Sequence, residues 1–161
     1  MELLWSIAYV CITGLISFYI GTILPRHWFC AEKFPFSAFF FENNGRIYDK
    51  LGIRKWKGSI LDMSKFMNNI LPKKLPRSPS VNDVQTLAAE TCVAEAIHWL
   101  LCLVSLGQLW IWKKSICGII FWLFCVIGNL PFILVQRYNR PHLITLKDKM
   151  LKRKKYRKSE G

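Results

Sequence analysis

The sequence predicts an all-α integral membrane protein with about three transmembrane helices and additional interfacial amphipathic helices. Two observations predict it: three long apolar blocks carry almost no charge, and a net charge of +13 is concentrated outside them. The length of 161 residues suits one modest membrane domain covering residues 1–161. An aromatic content of 14% excludes intrinsic disorder. The long apolar blocks also argue against a simple nucleic-acid-binding domain, so no specific nucleic acid is expected as a partner.

The first apolar block covers residues 3–24 and contains no charged side chain. At about 1.5 Å per residue, a helix of this length crosses a hydrocarbon core of roughly 30 Å. A cleaved signal peptide is the competing interpretation. It is disfavoured because Glu2 replaces a basic start, the apolar run is too long, and no small-residue cleavage site follows. We therefore expect an uncleaved span.

The second block covers residues 93–112 and is apolar except for Glu95 and His98, and the third covers residues 115–135 without any charge. Because so few residues separate the two blocks, they should form a tight helical hairpin with two lysines at its tip. A soluble helical bundle is the alternative. Its helices would show polar stripes, and the third block shows none over about five turns.

The distribution of Lys and Arg predicts the orientation. The loop 25–92 contains eleven of them and the tail 136–161 contains ten, whereas the hairpin tip contains two. Positive residues accumulate on the cytoplasmic side of membrane proteins. The loop and the tail are therefore expected in the cytoplasm and the amino terminus outside, in a multi-pass protein of the cell membrane.

The loop 25–92 is expected to lie at the membrane interface. Residues 34–41 place five Phe beside a membrane exit, which suits the headgroup boundary. A basic amphipathic stretch follows, whose apolar residues are Trp56, Ile60, Met63 and Met67. Such stretches usually lie flat on anionic lipid. Three glycines interrupt this loop: Gly45, Gly52 and Gly58. Short helices and turns are therefore expected.

A Pro-rich linker at 73–80 precedes the second span. Ser80 and Asp83 form a capping-box pattern, which predicts a helix that runs unbroken into that span. After the third span, Leu143, Leu146 and Met150 line one side of a cationic helix. Attraction to anionic lipid, at roughly 1 kcal/mol per basic residue near the surface, explains that helix, so membrane lipids are expected partners.

Glu95 and His98 are the strongest candidates for chemistry. They are three residues apart, so they share one helix face, and ionisable residues inside a span are functional hypotheses by default. An imidazole can remove a hydroxyl proton near neutral pH, and a carboxylate can fix its tautomer. A helix-pairing hydrogen bond is the alternative. A metal site is not expected, because only one Glu-x-x-His is present and no cysteine pair has zinc spacing.

The end of the third span forms a second candidate region. Pro131, near Asn129, predicts a bend or break that opens a cavity. A dense polar cluster follows, consisting of Gln136, Arg137, Asn139 and Arg140. Two arginines with amide side chains are suited to hold a phosphate, a carboxylate or sugar hydroxyls. Simple positive anchors are the alternative. The hairpin is expected to bring this cluster to the same leaflet as the first candidate pair.

Three segments carry a family resemblance: FENNGRIYDKLGIRKWKGSILD at 41–62, AEAIHW at 94–99 and GNLPFILVQRYNRPHL at 128–143. They resemble the glycosyl-4,4′-diaponeurosporenoate acyltransferase family of bacterial carotenoid synthesis, over about residues 25–145. His142 stands where the family pattern suggests Arg, and Asn43 and Asn44 replace a more basic pair. The resemblance implies transfer of a fatty acyl group to a hydroxyl of a glycosylated carotenoid or related glycolipid in a bacterial cell membrane.

The predicted site follows from these features. His98 is the catalytic base and Glu95 orients it. The predicted substrate-binding residues are Arg54, Trp56, Lys57, Asn129, Gln136, Arg137, Asn139 and Arg140. Among these, the cations are expected to hold an anionic acyl donor. No G-x-S-x-G elbow is present, so direct attack by the acceptor hydroxyl is expected. No bound cofactor is expected, and an activated donor such as acyl-CoA would be a substrate. The alternative function is a non-catalytic membrane adaptor or lipid-binding protein with a basic cytoplasmic face.

Overall fold

The computed structural model of the protein describes residues 1–57 and 78–159. This part of the chain is helical and contains no β-strand. Its α-helices are α1 (Glu2–Ile23), α2 (Arg46–Lys50), α3 (Ile53–Trp56), α4 (Val81–Val104), α5 (Gln108–Ile111) and α6 (Ile116–Ser159). Short 3₁₀ helices at Arg26–Trp28, Phe40–Gly45 and Ser105–Gly107 complete it.

Three helical segments are long and apolar enough to cross a membrane. They are Glu2–Ile23, Val81–Ile111 and Ile116–Arg157. The predicted all-α class with three candidate spans is therefore confirmed. The predicted amphipathic positions Ile60, Met63 and Met67, with Gly58 and most of the Pro-rich linker, lie outside the described residues.

The start of α4 confirms the predicted cap. The backbone N–H of Ser80 donates to Asp83 Oδ2 at 2.7 Å, and the backbone N–H of Asp83 donates to Ser80 Oγ at 3.2 Å. These reciprocal bonds satisfy amide groups that the first helical turn leaves without partners. From this cap, α4 runs without interruption into the apolar segment, as predicted.

The hairpin connection is as short as the sequence predicts, with α5 ending at Ile111 and α6 beginning at Ile116. Lys113 and Lys114 adopt φ angles of 50° and 57°, in the left-handed region that side-chain-bearing residues rarely enter. The backbone N–H of Lys114 donates to the Leu109 carbonyl at 2.6 Å, which closes the turn. The two lysines therefore reverse the chain within four residues.

Helix α6 corrects one expectation. The sequence predicted a bend or break at Pro131; the helix continues through both Pro131 and Pro141, so a break there is wrong, whereas a bend stays a prediction. A proline removes one backbone donor from a helix, and apolar helices tolerate that loss when the rest of the ladder persists. The cationic tail is consequently the end of the same 44-residue helix.

The chain packs as two compact units. The first comprises Met1–Leu24 and Ala94–Ile133, and the second comprises Pro25–Val93 and Leu134–Gly161. Helices α4 and α6 thus contribute residues to both.

In the first unit, α1 packs against the hairpin tip. The Tyr9 hydroxyl donates to the Val104 carbonyl at 2.7 Å, where α4 ends. Trp112 Nε1 donates to Ser6 Oγ at 2.7 Å. A Cβ atom at Gly107 would overlap the Tyr9 hydroxyl and lie 2.6 Å from Tyr9 Cζ. A glycine is therefore required at Gly107 for this close approach.

The second unit contains two apolar clusters. One consists of Ala31, Ala88 and Cys92 with Phe29, Phe36, Leu143 and Ile144 around them. The other consists of Tyr48, Ile53 and Tyr138 with Trp56, Leu134 and Val135. The Phe-rich segment divides accordingly: Phe36 packs in the first cluster, whereas Phe34 and Phe40 are exposed. Gly45 and Gly52, with φ of 90° and 65°, immediately precede α2 and α3, so the expected short helices and turns are confirmed there.

Candidate active site

His98 of α4 and Asn129 of α6 form a hydrogen-bonded pair in the first unit. His98 Nδ1 lies 2.8 Å from Asn129 Oδ1. Asn129 Nδ2 donates to the Cys125 carbonyl at 2.9 Å. Because a carbonyl only accepts, the amide nitrogen must face Cys125 and the amide oxygen must face the imidazole. Nδ1 of His98 is therefore the donor, and in the neutral ring the basic lone pair lies on Nε2.

The His98 ring is also held by stacking. Its centroid lies 4.6 Å from that of Phe132, with 15° between the ring planes. Phe132 follows Asn129 by three residues on α6, so both side chains project from one side of that helix. A hydrogen bond and a stacking contact from α6 together fix the position and plane of the half-buried imidazole.

Glu95 is buried on α4, with 2% of its surface exposed. Its Oε1 accepts a long hydrogen bond from Trp99 Nε1 at 3.4 Å, one helical turn further on. The orienting role predicted for Glu95 stays a prediction. For Asn129, the sequence predicted substrate binding and missed the contact with His98. The available signal was an amide side chain in an otherwise apolar helix, which needs a polar partner.

In the second unit, Arg137 and Glu42 form a buried ion pair. Arg137 Nε lies 2.6 Å from Glu42 Oε1, and the two residues are 8% and 2% exposed. The Glu42 carboxylate also accepts from the Tyr48 hydroxyl at 2.5 Å and from the Phe39 backbone N–H at 2.9 Å. The Arg137 guanidinium lies 4.3 Å from the centre of the Phe39 ring. This network fixes the segment around Phe39 and Glu42 to α6.

Protonation in this network follows from its geometry. Burial by itself would raise the pKa of the Glu42 carboxyl, but hydrogen bonds from Arg137, Tyr48 and Phe39 outweigh it and lower that pKa below its ordinary value of 4.5. Burial, together with the neighbouring Glu42 carboxylate, raises the pKa of the Tyr48 hydroxyl far above its ordinary value. At neutral pH, Glu42 is therefore a carboxylate and Tyr48 a neutral donor.

Arg140 is held by a second set of contacts. Its Nε donates to Thr91 Oγ1 and its Nη2 to the Thr91 carbonyl, both at 3.0 Å. Its Nη1 donates to the Phe36 carbonyl at 2.7 Å. At 2% exposure, Arg140 is no simple surface anchor, and neither is Arg137. The sequence singled out both arginines but missed Glu42, Tyr48 and Thr91; the Arg137–Glu42 contact spans 95 positions and the Arg140–Thr91 contact spans 49.

The remaining predicted binding residues differ in their contacts and exposure. Lys57 Nζ donates to Asn139 Oδ1 at 3.1 Å, and its ammonium lies 4.6 Å from the centre of the Tyr138 ring. Trp56 packs in the Tyr48 cluster. The side chain of Arg54 is exposed and that of Gln136 is half-buried. The structure thus brings Lys57 and Asn139 together, and the binding roles of all these residues remain predictions.

An open cleft of about 430 Å³ lies in the second unit. Its polar lining includes Ser37, Glu42, Arg137, Arg140, Thr145 and Asp148. Cavities of about 300–1,000 Å³ with a few polar groups are typical small-molecule sites. Among the described residues, no group of three or more His, Cys, Asp or Glu is arranged to hold a metal ion.

The similarity to known proteins covers both the His98–Asn129 pair and the buried arginines of the second unit. The family described as glycosyl-4,4′-diaponeurosporenoate acyltransferase matches residues 25–149. A glycosyl-4,4′-diaponeurosporenoate acyltransferase of Staphylococcus aureus strain MRSA252 is 34% identical over 130 residues, covering 79% of this chain and 76% of the relative. The protein of the same name from strain Newman is 34% identical over 138 residues, covering 84% and 81%. No solved structure matches.

Proposed function

Because this chain belongs to the glycosyl-4,4′-diaponeurosporenoate acyltransferase family, we propose that it transfers a fatty acyl group to a hydroxyl of a glycosylated carotenoid. The match covers most of the chain, including His98, Asn129 and both arginines of the buried network. The observation that supports catalysis by this chain itself is the His98–Asn129 pair, since it prepares an imidazole to accept a proton.

The proposed reaction is direct acyl transfer. Nε2 of His98 accepts the proton of the acceptor hydroxyl while that oxygen attacks the carbonyl carbon of an activated acyl donor, for which an acyl thioester such as acyl-CoA is the simplest choice. The new C–O bond forms an ester, the C–S bond breaks, and the leaving thiolate recovers the proton from His98. No covalent acyl-enzyme is needed.

Asn129 and Phe132 act as positioning residues in this scheme. Holding Nδ1 as a donor keeps the basic lone pair on Nε2, and stacking keeps the ring plane fixed. Orientation of this kind lowers the entropic part of a reaction barrier. Glu95 is proposed to assist by stabilising the imidazolium that forms during proton transfer.

The donor's phosphates are proposed to meet exposed cations of the loop. Arg46, Lys50, Arg54 and Lys55 lie close together in the sequence and are all exposed. Arginine and lysine bind phosphate through charge-assisted hydrogen bonds. This proposal keeps Arg54 in the donor-binding role predicted from the sequence. Lys57, which contacts Asn139, follows three residues later in the chain and keeps its predicted role as well.

The membrane location is likewise proposed. Three apolar helices are compatible with a multi-pass protein of the bacterial cell membrane. The Lys and Arg distribution favours a cytoplasmic loop and tail and an outside amino terminus.

The test uses the purified full chain in lipid nanodiscs, supplied with radiolabelled acyl-CoA and a glycosylated carotenoid. We expect acylated product from the wild type and a loss of about 10²- to 10⁴-fold for His98→Gln, which removes the proton acceptor. His27→Gln is the matched control, because His27 is exposed on a short 3₁₀ helix. Wild-type protein that forms no product, or His98→Gln that retains full activity, would favour the adaptor alternative.

A further inference from the structure

The cleft in the second unit is not an electropositive site. Its lining contains the carboxylates of Glu32, Glu42 and Asp148 as well as the guanidinium groups of Arg137 and Arg140. The carboxylate of Glu42 is paired with Arg137, and that of Glu32 is paired with Lys147. Three carboxylates thus stand against two guanidiniums in the lining, and the guanidiniums already bond to Glu42, Thr91 and the Phe36 and Ser37 carbonyls, so the cleft has no surplus of positive charge. Phosphates are bound through charge-assisted hydrogen bonds from cations, so a cleft without surplus positive charge is poorly suited to the diphosphate of an acyl donor.

The lining suits a neutral ligand with many hydroxyl groups. The hydroxyls of Ser37 and Thr145 both donate and accept hydrogen bonds, and the exposed Asp148 carboxylate accepts them. Phe36 adds an apolar ring surface beside these groups. Donors, acceptors and apolar surface within one cleft suit a sugar ring, because its hydroxyls lie at its edge and its C–H groups at its faces.

The walls of the cleft are also built to keep their shape. Arg140 bonds to the Phe36 carbonyl at 2.7 Å, and Arg137 bonds to the Ser37 carbonyl at 3.3 Å. Both guanidiniums are buried and anchor the wall that carries Phe36 and Ser37. A cleft whose wall is fixed before the ligand arrives loses less conformational entropy on binding.

We propose that this cleft binds the glycosyl headgroup of the acceptor lipid. The inference rests on the proposed function, since that function supplies a glycosylated substrate. It changes the role predicted for Arg137 and Arg140, which shape a sugar site here and leave the anionic donor to the exposed cations near Arg54.

The test measures binding without catalysis. Hexyl β-D-glucopyranoside is titrated into the full chain in nanodiscs by calorimetry, and inorganic pyrophosphate is titrated separately as an anionic probe. The test variant is the double substitution Thr145→Val and Asp148→Asn, because both side chains are exposed on α6 and neither belongs to the buried network. We expect the Kd for the glucoside to rise about tenfold, as for loss of one charge-assisted and one neutral hydrogen bond. Asp49→Asn, an exposed carboxylate outside the cleft, should leave that Kd unchanged.

Three results would overturn the sugar site: no glucoside binding, an unchanged Kd in the double variant, or pyrophosphate binding that the same double variant tightens. Failure of the sugar site and failure of the proposed function remain distinguishable. Glucoside binding without acyl transfer rejects the function alone, and acyl transfer that depends on His98 without glucoside binding rejects the sugar site alone.

Discussion

The amide oxygen of Asn129 lies 2.8 Å from Nδ1 of His98, so an uncharged side chain determines which ring nitrogen carries the proton. The amide is itself oriented, since its nitrogen donates to the Cys125 carbonyl one turn earlier on α6. A neutral partner orients the proposed base without adding a further charge to an apolar helix, where an isolated charge is costly.

Asn129→Leu should lower kcat by about 10- to 100-fold, because the ring loses the acceptor that fixes its orientation. The KM for the acceptor should change little, since the proposed role concerns the base and not the substrate. Steady-state kinetics in nanodiscs measure both constants. Gly128→Ala is the matched control, because a Cβ at Gly128 meets no atom within 4 Å. An unchanged kcat in Asn129→Leu would remove Asn129 from the mechanism.

Glu42→Gln should destabilise the protein by about 3–5 kcal/mol, because it leaves the Arg137 guanidinium buried beside a neutral group. The comparison variant is Glu32→Gln. Its partner is Lys147, and the Glu32 side chain is 49% exposed, so the loss should stay below about 1 kcal/mol. Denaturant unfolding in detergent, followed by tryptophan fluorescence, measures both values. Equal losses in the two variants would contradict the assigned importance of the buried pair.

The acid stability of the protein should depend on Glu42. The folded structure holds the pKa of this carboxyl below its ordinary value of 4.5, so its ionisation stabilises the folded state. That contribution is complete above about pH 4.5 and declines as the pH falls toward the lower folded pKa. The difference in unfolding free energy between wild type and Glu42→Gln should therefore be constant from pH 7 to about pH 5 and shrink below pH 4.5. A difference that stays constant down to pH 3 would contradict this assignment.

Gly107→Ala should destabilise the first unit by about 1–3 kcal/mol, because the added methyl group overlaps the Tyr9 side chain. Thermal unfolding in detergent is the measurement. Gly14→Ala on α1 is the control, since its Cβ would occupy open space. An unfolding temperature of Gly107→Ala equal to that of Gly14→Ala would show that α1 does not pack closely against Gly107.

The proposed orientation predicts protection of two engineered thiols. Single cysteines replacing Ser78 and Ser159, in a background without the native cysteines, should resist membrane-impermeant thiol reagents in intact cells and react after lysis. A cysteine replacing Ser115, beside the hairpin tip, should react in intact cells. Labelling at position 78 or 159 from outside would reverse or reject the three-span topology.

The features that sequence reasoning predicted correctly are local ones. Apolar runs longer than 18 residues, the Ser80–Asp83 cap and the two-lysine tip depend only on neighbouring residues, so they are visible in one sequence. The break at Pro131 was predicted from a local rule that the rest of α6 overrides. The partners of Arg137 and Arg140 were not predicted, because the ion pair with Glu42 spans 95 positions and the contact with Thr91 spans 49. Neither pairing leaves a periodic signal in the sequence.

The hydrogen bond between Ser6 and Trp112 has a consequence for biosynthesis. The two residues are 106 positions apart, so at about 5–20 residues per second the ribosome makes Trp112 roughly 5–20 s after Ser6. In the proposed membrane location, only the hydrophobicity of α1 holds it in the bilayer during that interval. Its attachment to the rest of the unit forms only when the hairpin arrives. The first helix to be made is therefore secured only after about two thirds of the chain has been synthesised.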